Sequence, residues 1–229
     1  MTEPRKRAAP RARLLAADGI PEHYADHVFV NCPFDDAYEP IFNAVVFAVL
    51  DCGFVARSAL EIADSSEVRI DKICRIIAGS KLAIHDLCRT ELDPHTELTR
   101  FNMPLELGLF LGAKKFGAGF HHEKSCLILD REPYRYQKFI SDIAGQDIRA
   151  HEGKAELAVG LIREWLVSSS KRKTIPGGSA IWRRYLGFQD RLRSMCLEAE
   201  LLESELTFND RTNFIADWLL ETASNKARR

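Results

Sequence analysis

The sequence lacks any long apolar run and carries almost no net charge. None of its apolar stretches approaches the roughly 18 residues that a membrane-spanning helix needs, so we expect no membrane partner. The 32 lysine and arginine residues nearly balance the 33 aspartate and glutamate residues, and the net charge is −1. Without a strong overall field, the chain is not expected to have nucleic acid as its main partner.

Paired cysteine motifs are absent as well. The six cysteines are scattered along the chain, and no histidine accompanies them at a spacing typical of zinc sites. Cysteines used in this way are commonly reduced core residues of cytosolic proteins. We therefore predict a cytoplasmic protein without a metal site. The six are Cys32, Cys52, Cys74, Cys88, Cys126 and Cys196.

Glycine-rich phosphate motifs are the third absence. No G-x-G-x-x-G follows the first apolar strand, and no G-x-x-x-x-G-K-[ST] occurs anywhere in the chain. A standard dinucleotide-binding fold or a P-loop is thereby disfavoured. We expect no bound cofactor, although a nucleotide or NAD is still open as a substrate.

Four segments can be distinguished along the chain. Residues 1–25 are basic and poor in apolar residues, which predicts a flexible tail; the lack of an apolar stretch argues against a secretory signal, while contact with nucleic acid stays open. Residues 26–170 form the main unit, and residues 171–179 read as a linker rich in Lys, Arg, Pro and Gly. Residues 180–225 have the pattern of a helical hairpin.

Short apolar strands alternate with helices in the main unit. The predicted strands are His27–Cys32, Phe54–Arg57, Lys81–Asp86 and Lys124–Asp130. Further helices are expected over Tyr134–Ile143 and Glu156–Val167. This alternation predicts an α/β fold, in which helices cover both faces of a parallel sheet.

The C-terminal hairpin carries an apolar heptad pattern. Apolar residues are spaced 4-3-4-3-4-3-4, which is typical of an a/d seam over more than three heptads. Such a stripe either packs on the sheet domain or pairs with a second copy. Since an exposed stripe of this length would be a large apolar patch, we predict a homo-oligomer. The seam consists of Ile181, Tyr185, Phe188, Leu192, Met195, Ala199, Leu202 and Leu206.

A single acid interrupts the most apolar helix of the chain. The stretch from Arg100 to Gly112 reads as a loop that runs into a buried helix, with Asn102 as a cap and Pro104 in the first turn. Glu106 is placed in that first turn, where the helix dipole favours an ionised carboxylate. Because an unpaired buried charge is costly, we expect Glu106 to face a polar cleft. A plain capping role is the alternative.

Polar residues also cluster where the predicted strands end. Parallel sheets bind ligands beyond the carboxyl ends of their strands, so these residues define a candidate site. Asp35 and Asp36 have the alternative role of helix caps, and Asp86 has the alternative of a strand-end cap. The set comprises Asn31, Pro33, Phe34, Asp35, Asp36, Arg57, Asp86, Arg89, Arg100, Asn102 and Glu106.

Three arginines near this edge have the chemistry of phosphate clamps. Arg57, Arg69 and Arg100 can each hold two phosphate oxygens through the guanidinium fork, although ordinary ion pairs explain them equally well. His85 is interpreted as a core histidine. Cys32 has no visible base to activate its thiol.

Three motifs of the chain resemble a known group. Val28-Phe-Val-Asn-Cys-Pro-Phe-Asp35, Ala83-Ile-His-Asp86 and Phe101-Asn-Met-Pro-Leu-Glu-Leu-Gly108 resemble a bacterial group of small TIR-like proteins, which is similar to nucleoside 2-deoxyribosyltransferases. The resemblance covers about residues 26–168. It implies a flavodoxin-like sheet with Glu106 as the catalytic carboxylate acting on an N-ribosyl bond. Asp86 would match an aspartate that such enzymes use after a middle strand.

The resemblance implies two possible functions. One is an N-glycosidase acting on a nucleotide or NAD, a candidate effector in antiphage defence. The other is a nucleotide-sensing or protein-interaction module of the same fold without turnover. Fold alone does not separate the two. A catalytic carboxylate in an open cleft favours the first, and a Glu106 locked in a salt bridge favours the second.

Overall fold

The computed structural model describes residues 20–61, 64, 66–92, 97–170, 172 and 174–227. Most of the basic segment predicted at residues 1–25 lies outside these ranges, as do Lys171 and Lys173 of the predicted linker. Within residues 20–25, Tyr24 is buried and packs edge-to-face on Phe120. The folded unit therefore begins before residue 26.

Five parallel strands form a single sheet. They are β1 His27–Asn31, β2 Val55–Arg57, β3 Leu82–Asp86, β4 Ser125–Asp130 and β5 Ile148–Ala150. Their spatial order is β2-β1-β3-β4-β5, and every neighbouring pair is parallel. This is the order of flavodoxin-like sheets, and it confirms the predicted α/β class.

Within the part of the chain that the structure describes, six α-helices surround or extend the sheet. They are α1 Glu39–Asp51, α2 Arg69–Ala78, α3 Asn102–Phe116, α4 Ala155–Ser169, α5 Gly178–Glu198 and α6 Phe208–Ala227. Right-handed crossovers place α2 and α3 on one face and α1 on the other, where α4 packs beside it. Among the described residues, no helix has both the length and the apolar character needed to cross a membrane.

Each face of the sheet buries its own apolar cluster. On the α2 and α3 side, Phe29 and Ala83 of the strands pack with Ile73, Ile76 and Phe110. The opposite side holds the larger cluster, built from α1, α4, α5 and α6. Because both faces are covered, the strands read as continuous apolar runs rather than alternating ones.

The region between β4 and α4 differs from the prediction. The helix predicted over Tyr134–Ile143 is absent; two short 3₁₀ turns, Arg135–Lys138 and Ser141–Ile143, occupy this stretch. The strand β5 that follows was not predicted. It is three residues long and half-buried at the sheet edge, so it has too few residues to show a hydrophobic period.

Two predicted helix starts were also wrong in detail. For α1, the spacing of Asp36 and Glu39 predicts a capping box. Asp35 makes the contact instead, and its Oδ1 accepts a hydrogen bond from the Tyr38 N–H at 3.1 Å. In α3, Phe101 takes the cap position and Asn102 is the first helical residue. Glu106 therefore lies in the second turn, one residue further from the positive end of the helix than we expected.

The C-terminal hairpin packs on the sheet domain through its seam. The ring of Phe47 on α1 lies 5.5 Å from Tyr185, 5.6 Å from Phe188 and 5.9 Å from Trp218, measured between centroids. One turn further along α1, at its last residue, Arg184 contacts both carboxylate oxygens of Asp51. The hairpin is thus part of the main core.

The seam is shorter than its heptad pattern indicated. Helix α5 ends at Glu198, and Leu202, which we placed in the seam, is 62% exposed. Since Ile181, Phe188 and Leu192 are already buried within the chain, the exposed stripe from which we predicted a homo-oligomer does not exist. Self-association remains a prediction without that support.

Truncating the seam should destabilise the monomer itself. Phe188→Ala removes a fully buried ring against Phe47, and we expect the free energy of unfolding to fall by about 3–5 kcal/mol. Leu220→Ala, an exposed change on α6, is the matched control and should stay within about 0.5 kcal/mol. Urea denaturation measures both. Unchanged stability combined with dissociation of an oligomer in light scattering would show that the seam pairs between copies.

Candidate functional site

The candidate site lies at the carboxyl edge of the sheet, between the chain connections that follow the neighbouring strands β1 and β3. The chain leaves β1 toward α1 on one face and leaves β3 toward α3 on the other. In a sheet of this order, the divergence of the two connections opens a crevice at this point. Asn31 and His85 are paired in register at the ends of these strands and are buried beneath this point.

Asn31 ties three elements together at this point. Its side-chain amide lies 2.9 Å from His85 Nδ1 and donates to the Met103 carbonyl at 3.0 Å. Since the amide is a donor, His85 accepts through Nδ1 and carries its proton on Nε2. Burial lowers the pKa of His85 to about 3, so the ring is neutral. Asn31 is itself buried and serves to hold the start of α3 over the sheet.

Glu106 projects from the buried face of α3, next to this anchor. Met103, Glu106, Leu107 and Phe110 are the buried residues of the helix, and Glu106 is only 6% exposed. Its carboxylate forms no hydrogen bond or salt bridge to any residue that the structure describes. The positive charge of Arg69, at the first position of α2, acts on this carboxylate.

The ionisation of Glu106 differs from what the sequence indicated. Burial raises the pKa of Glu106 from 4.5 to about 7, and the positive charge of Arg69 offsets only part of that rise. We had expected the helix terminus to keep the carboxylate fully ionised. Its place in the second turn weakens that effect, because the dipole acts mainly within the first turn. Near neutral pH the group is divided between its two forms.

Asp86 is the centre of a fully buried polar network. Tyr38 donates to its Oδ2 at 2.6 Å, the Cys88 N–H donates to Oδ1 at 2.9 Å, and His151 Nε2 lies 3.0 Å from Oδ2. Burial alone would raise the pKa of Asp86, but these contacts outweigh it and the pKa is lowered. With no exposed surface, Asp86 holds its neighbours in place and does not line the crevice.

Asp86, Cys88 and His151 also approach one another closely enough to suggest a metal site. The hydrogen bonding of the histidine argues against that role. Its Nδ1 accepts from the Gly153 N–H at 3.0 Å, so Nδ1 carries no proton and the ring N–H is on Nε2, which faces Asp86. A ligating histidine needs a free lone pair toward the metal and donates through its other nitrogen. This arrangement fits a histidine–aspartate contact instead.

The loop after β1 contains four of the predicted site residues, of which Asp36 is exposed. Pro33 is buried, Phe34 is 41% exposed, and Asp35 is partly buried. Asp35 forms a two-point contact with Arg89, at 2.9 and 3.1 Å. This ion pair joins the loop after β1 to the loop after β3, in addition to the contacts of the Asp86 network.

The three arginines that we considered as phosphate clamps have different surroundings. Arg57 is held by Glu61 through contacts of 2.8 and 2.6 Å, and its guanidinium lies 3.1 Å from His27 at the start of β1. Arg69 and Arg100 are both exposed, at the first residue of α2 and just before α3. Exposed Asn102 follows Arg100 closely, at the start of α3. The positive charge of Arg69 lowers the pKa of Glu106.

Sequence reasoning missed Tyr38 and His151. Tyr38 precedes α1 and carries no motif signal. His151 follows the unpredicted strand β5, and a histidine after a recognised strand would have entered the list of candidates. A second buried pair, Arg135 with Asp130 at 2.6 Å, was missed as well, because Arg135 belongs to the stretch that we read as a helix.

Comparisons of the chain with protein-family models, with curated proteins and with solved structures give no match. The TIR-like resemblance is therefore still a prediction. What the site does must be argued from its geometry.

The Asp86 network should be a stability element that is sensitive to acid. The pKa of Asp86 in the folded protein lies below the unfolded value of about 3.9. The stability that the ionised carboxylate contributes is therefore fully present above that value and is lost as the pH falls through the folded pKa. We expect Asp86→Asn to lower the free energy of unfolding by about 2 kcal/mol or more at pH 7, with the difference from wild type shrinking toward pH 2. The exposed change Asp142→Asn is the control. Equal stability of the Asp86→Asn variant at pH 7 would contradict a network role.

Proposed function

We propose that the protein hydrolyses the N-ribosyl bond of a nucleotide or of NAD, with Glu106 as the catalytic carboxylate. One observation carries this proposal: Glu106 is a buried acid beside the β1/β3 crevice with no pairing group among the described residues. A buried carboxylate without a partner costs stability. Groups retained at such a cost are concentrated at functional sites. The family resemblance assigns the same residue.

Cleavage of an N-ribosyl bond suits a lone carboxylate. As the bond between the anomeric carbon and the base breaks, its electron pair leaves with the base and the sugar becomes positively charged. An ionised Glu106 beside the sugar would stabilise that charge, or attack the carbon to form a covalent intermediate. Water then adds to the same carbon and loses a proton, which completes hydrolysis.

The raised pKa of Glu106 fits this role. A pKa of about 7 means that the carboxylate is weakly solvated and is not satisfied by a protein cation. The positive charge that develops on the sugar in the transition state would then be the first strong electrostatic partner of this carboxylate. Electrostatic stabilisation of this kind is greatest where water is excluded. Activity that needs the ionised form should rise with pH and level off above about pH 7.

Arg69 supports a substrate that carries phosphate. It is exposed at the start of α2 and close enough to Glu106 to influence its pKa. The N-terminus of a helix together with a guanidinium favours phosphate oxygens. A nucleotide with its ribose at Glu106 and its phosphate toward α2 would satisfy both groups. Arg57, in contrast, is already engaged by Glu61.

A second function is favoured by the surface next to Glu106. Leu98, Phe101 and Leu105 are 70%, 61% and 55% exposed, all in or just before the start of α3. Exposed apolar side chains grouped in this way mark interaction surfaces. A protein-interaction module without turnover would use them directly. The assay that separates the two functions is release of free base from NAD and a panel of nucleotides, followed by chromatography.

Removing the charge of Glu106 should lower the turnover rate strongly and preserve the fold. Glu106→Gln is nearly isosteric, and loss of a preorganised electrostatic group commonly lowers kcat by about 10²–10³. Substrate affinity should change much less, because the ground-state ribose is uncharged. Glu156→Gln, an exposed change in the first turn of α4, is the matched control and should retain full activity. An active Glu106→Gln variant would refute the catalytic assignment.

The same variant should be more stable than wild type at alkaline pH. The folded pKa of Glu106 is raised above its unfolded value, so wild-type stability falls as the pH rises from about 4.5 through 7. At pH 8 the glutamine variant should gain as much as about 3 kcal/mol, and at pH 4 it should gain almost nothing. Urea denaturation at the two pH values measures the difference. A loss of about 1 kcal/mol at both would instead indicate a structural cap.

A further inference from the structure

A cavity lies on the α1 side of the loop that follows β1. It encloses about 180 Å³ between that loop, the start of α1 and the start of α6. Glu106 lies on the α2 and α3 side of the sheet, whereas this cavity lies on the α1 side, where the C-terminal hairpin forms one wall. The hairpin is outside the region covered by the family resemblance, so the cavity is a feature of this chain.

Aromatic rings form the apolar part of the lining. Phe34 packs edge-to-face on Phe42, with centroids 5.6 Å apart and an interplanar angle of 84°. Phe42 in turn lies 6.1 Å from Phe208 at the start of α6. Because Phe34 is 41% exposed, its ring surface is open to a ligand. Open aromatic surface at a cavity favours planar groups and organic cations.

The charges of the lining are predominantly negative. Asp35, Asp36 and Glu39 contribute three carboxylates, and Arg211 contributes one guanidinium. Asp35 is neutralised by Arg89, and Arg211 is turned toward Glu39 at 3.4 Å. Asp36 forms no hydrogen bond or ion pair within the described part of the chain. An anion would meet Asp36 without compensation, whereas a cation would be paired by it.

We propose that this cavity binds a small aromatic cation, with the ring on Phe34 and the charged group on Asp36. A planar amidinium or protonated heterocyclic amine has the required shape, and its N–H groups match a carboxylate in a two-point contact. The site does not depend on the activity proposed for Glu106. It would persist in a chain that has no turnover.

Benzamidine is a suitable probe, because it combines one ring with one planar cation. Titration calorimetry or ligand-observed NMR should detect saturable binding with a Kd of about 1 mM or tighter, as expected for a ligand of its size. Benzamide, the uncharged analogue, should bind at least about tenfold more weakly, as should benzoate. Equal binding of benzoate, or no saturable binding of benzamidine, would overturn the proposal.

Variants locate the bound probe. Phe34→Ala and Asp36→Asn should each weaken binding about tenfold or more, whereas the exposed controls Phe116→Ala and Asp71→Asn should leave it unchanged. Arg211→Met should strengthen binding, since it removes the cation from the lining. Binding that survives Asp36→Asn but is lost in Glu106→Gln would place the probe in the other crevice and refute this site.

Discussion

The site depends on one buried carboxylate, that of Asp86 at the end of the central strand β3. Its two oxygens contact Tyr38 from the loop before α1, the Cys88 N–H from the loop after β3, and His151 from the segment after β5. These contacts hold three loops at fixed positions around the crevice. A buried charge is tolerated only where it is paired and hydrogen-bonded, so the network constrains all three loops at once.

Glu106 contrasts with Asp86 in almost every respect, although both are buried acids at the same edge of the sheet. Asp86 has several partners and a lowered pKa, while Glu106 has none among the described residues and a pKa raised to about 7. Environments that push two carboxylates apart in this way commonly separate a structural from a reactive role. The proposed hydrolysis assigns the reactive role to Glu106. Asn31 supports it indirectly by fixing the start of α3 through the Met103 carbonyl.

The sequence predicted those parts of the fold that have a long or strongly apolar pattern. Four strands and the helices α1 to α6 were recognisable, and Glu106 stood out because an acid interrupts an apolar helix. Strand β5 was missed because three half-buried residues carry no period. The partners of Asp86 were missed because Tyr38 and His151 meet it only through tertiary packing, across separations of 48 and 65 residues. The predicted seam of α5 was correct from Ile181 to Leu192, but beyond it Cys196 is buried instead of Met195, and the seam packs on the sheet domain.

The proposed hydrolysis requires Glu106 to be a buried carboxylate without a cationic partner. A direct test is the titration of its side-chain carboxyl by carbon-13 NMR, with the resonance assigned by comparison with Glu106→Gln. We expect the Glu106 carboxyl to have a pKa near 7 in the free protein. A pKa at or below the ordinary glutamate value of about 4.3 would contradict it, because the carboxylate would then be paired or well solvated and could not be the reactive group proposed.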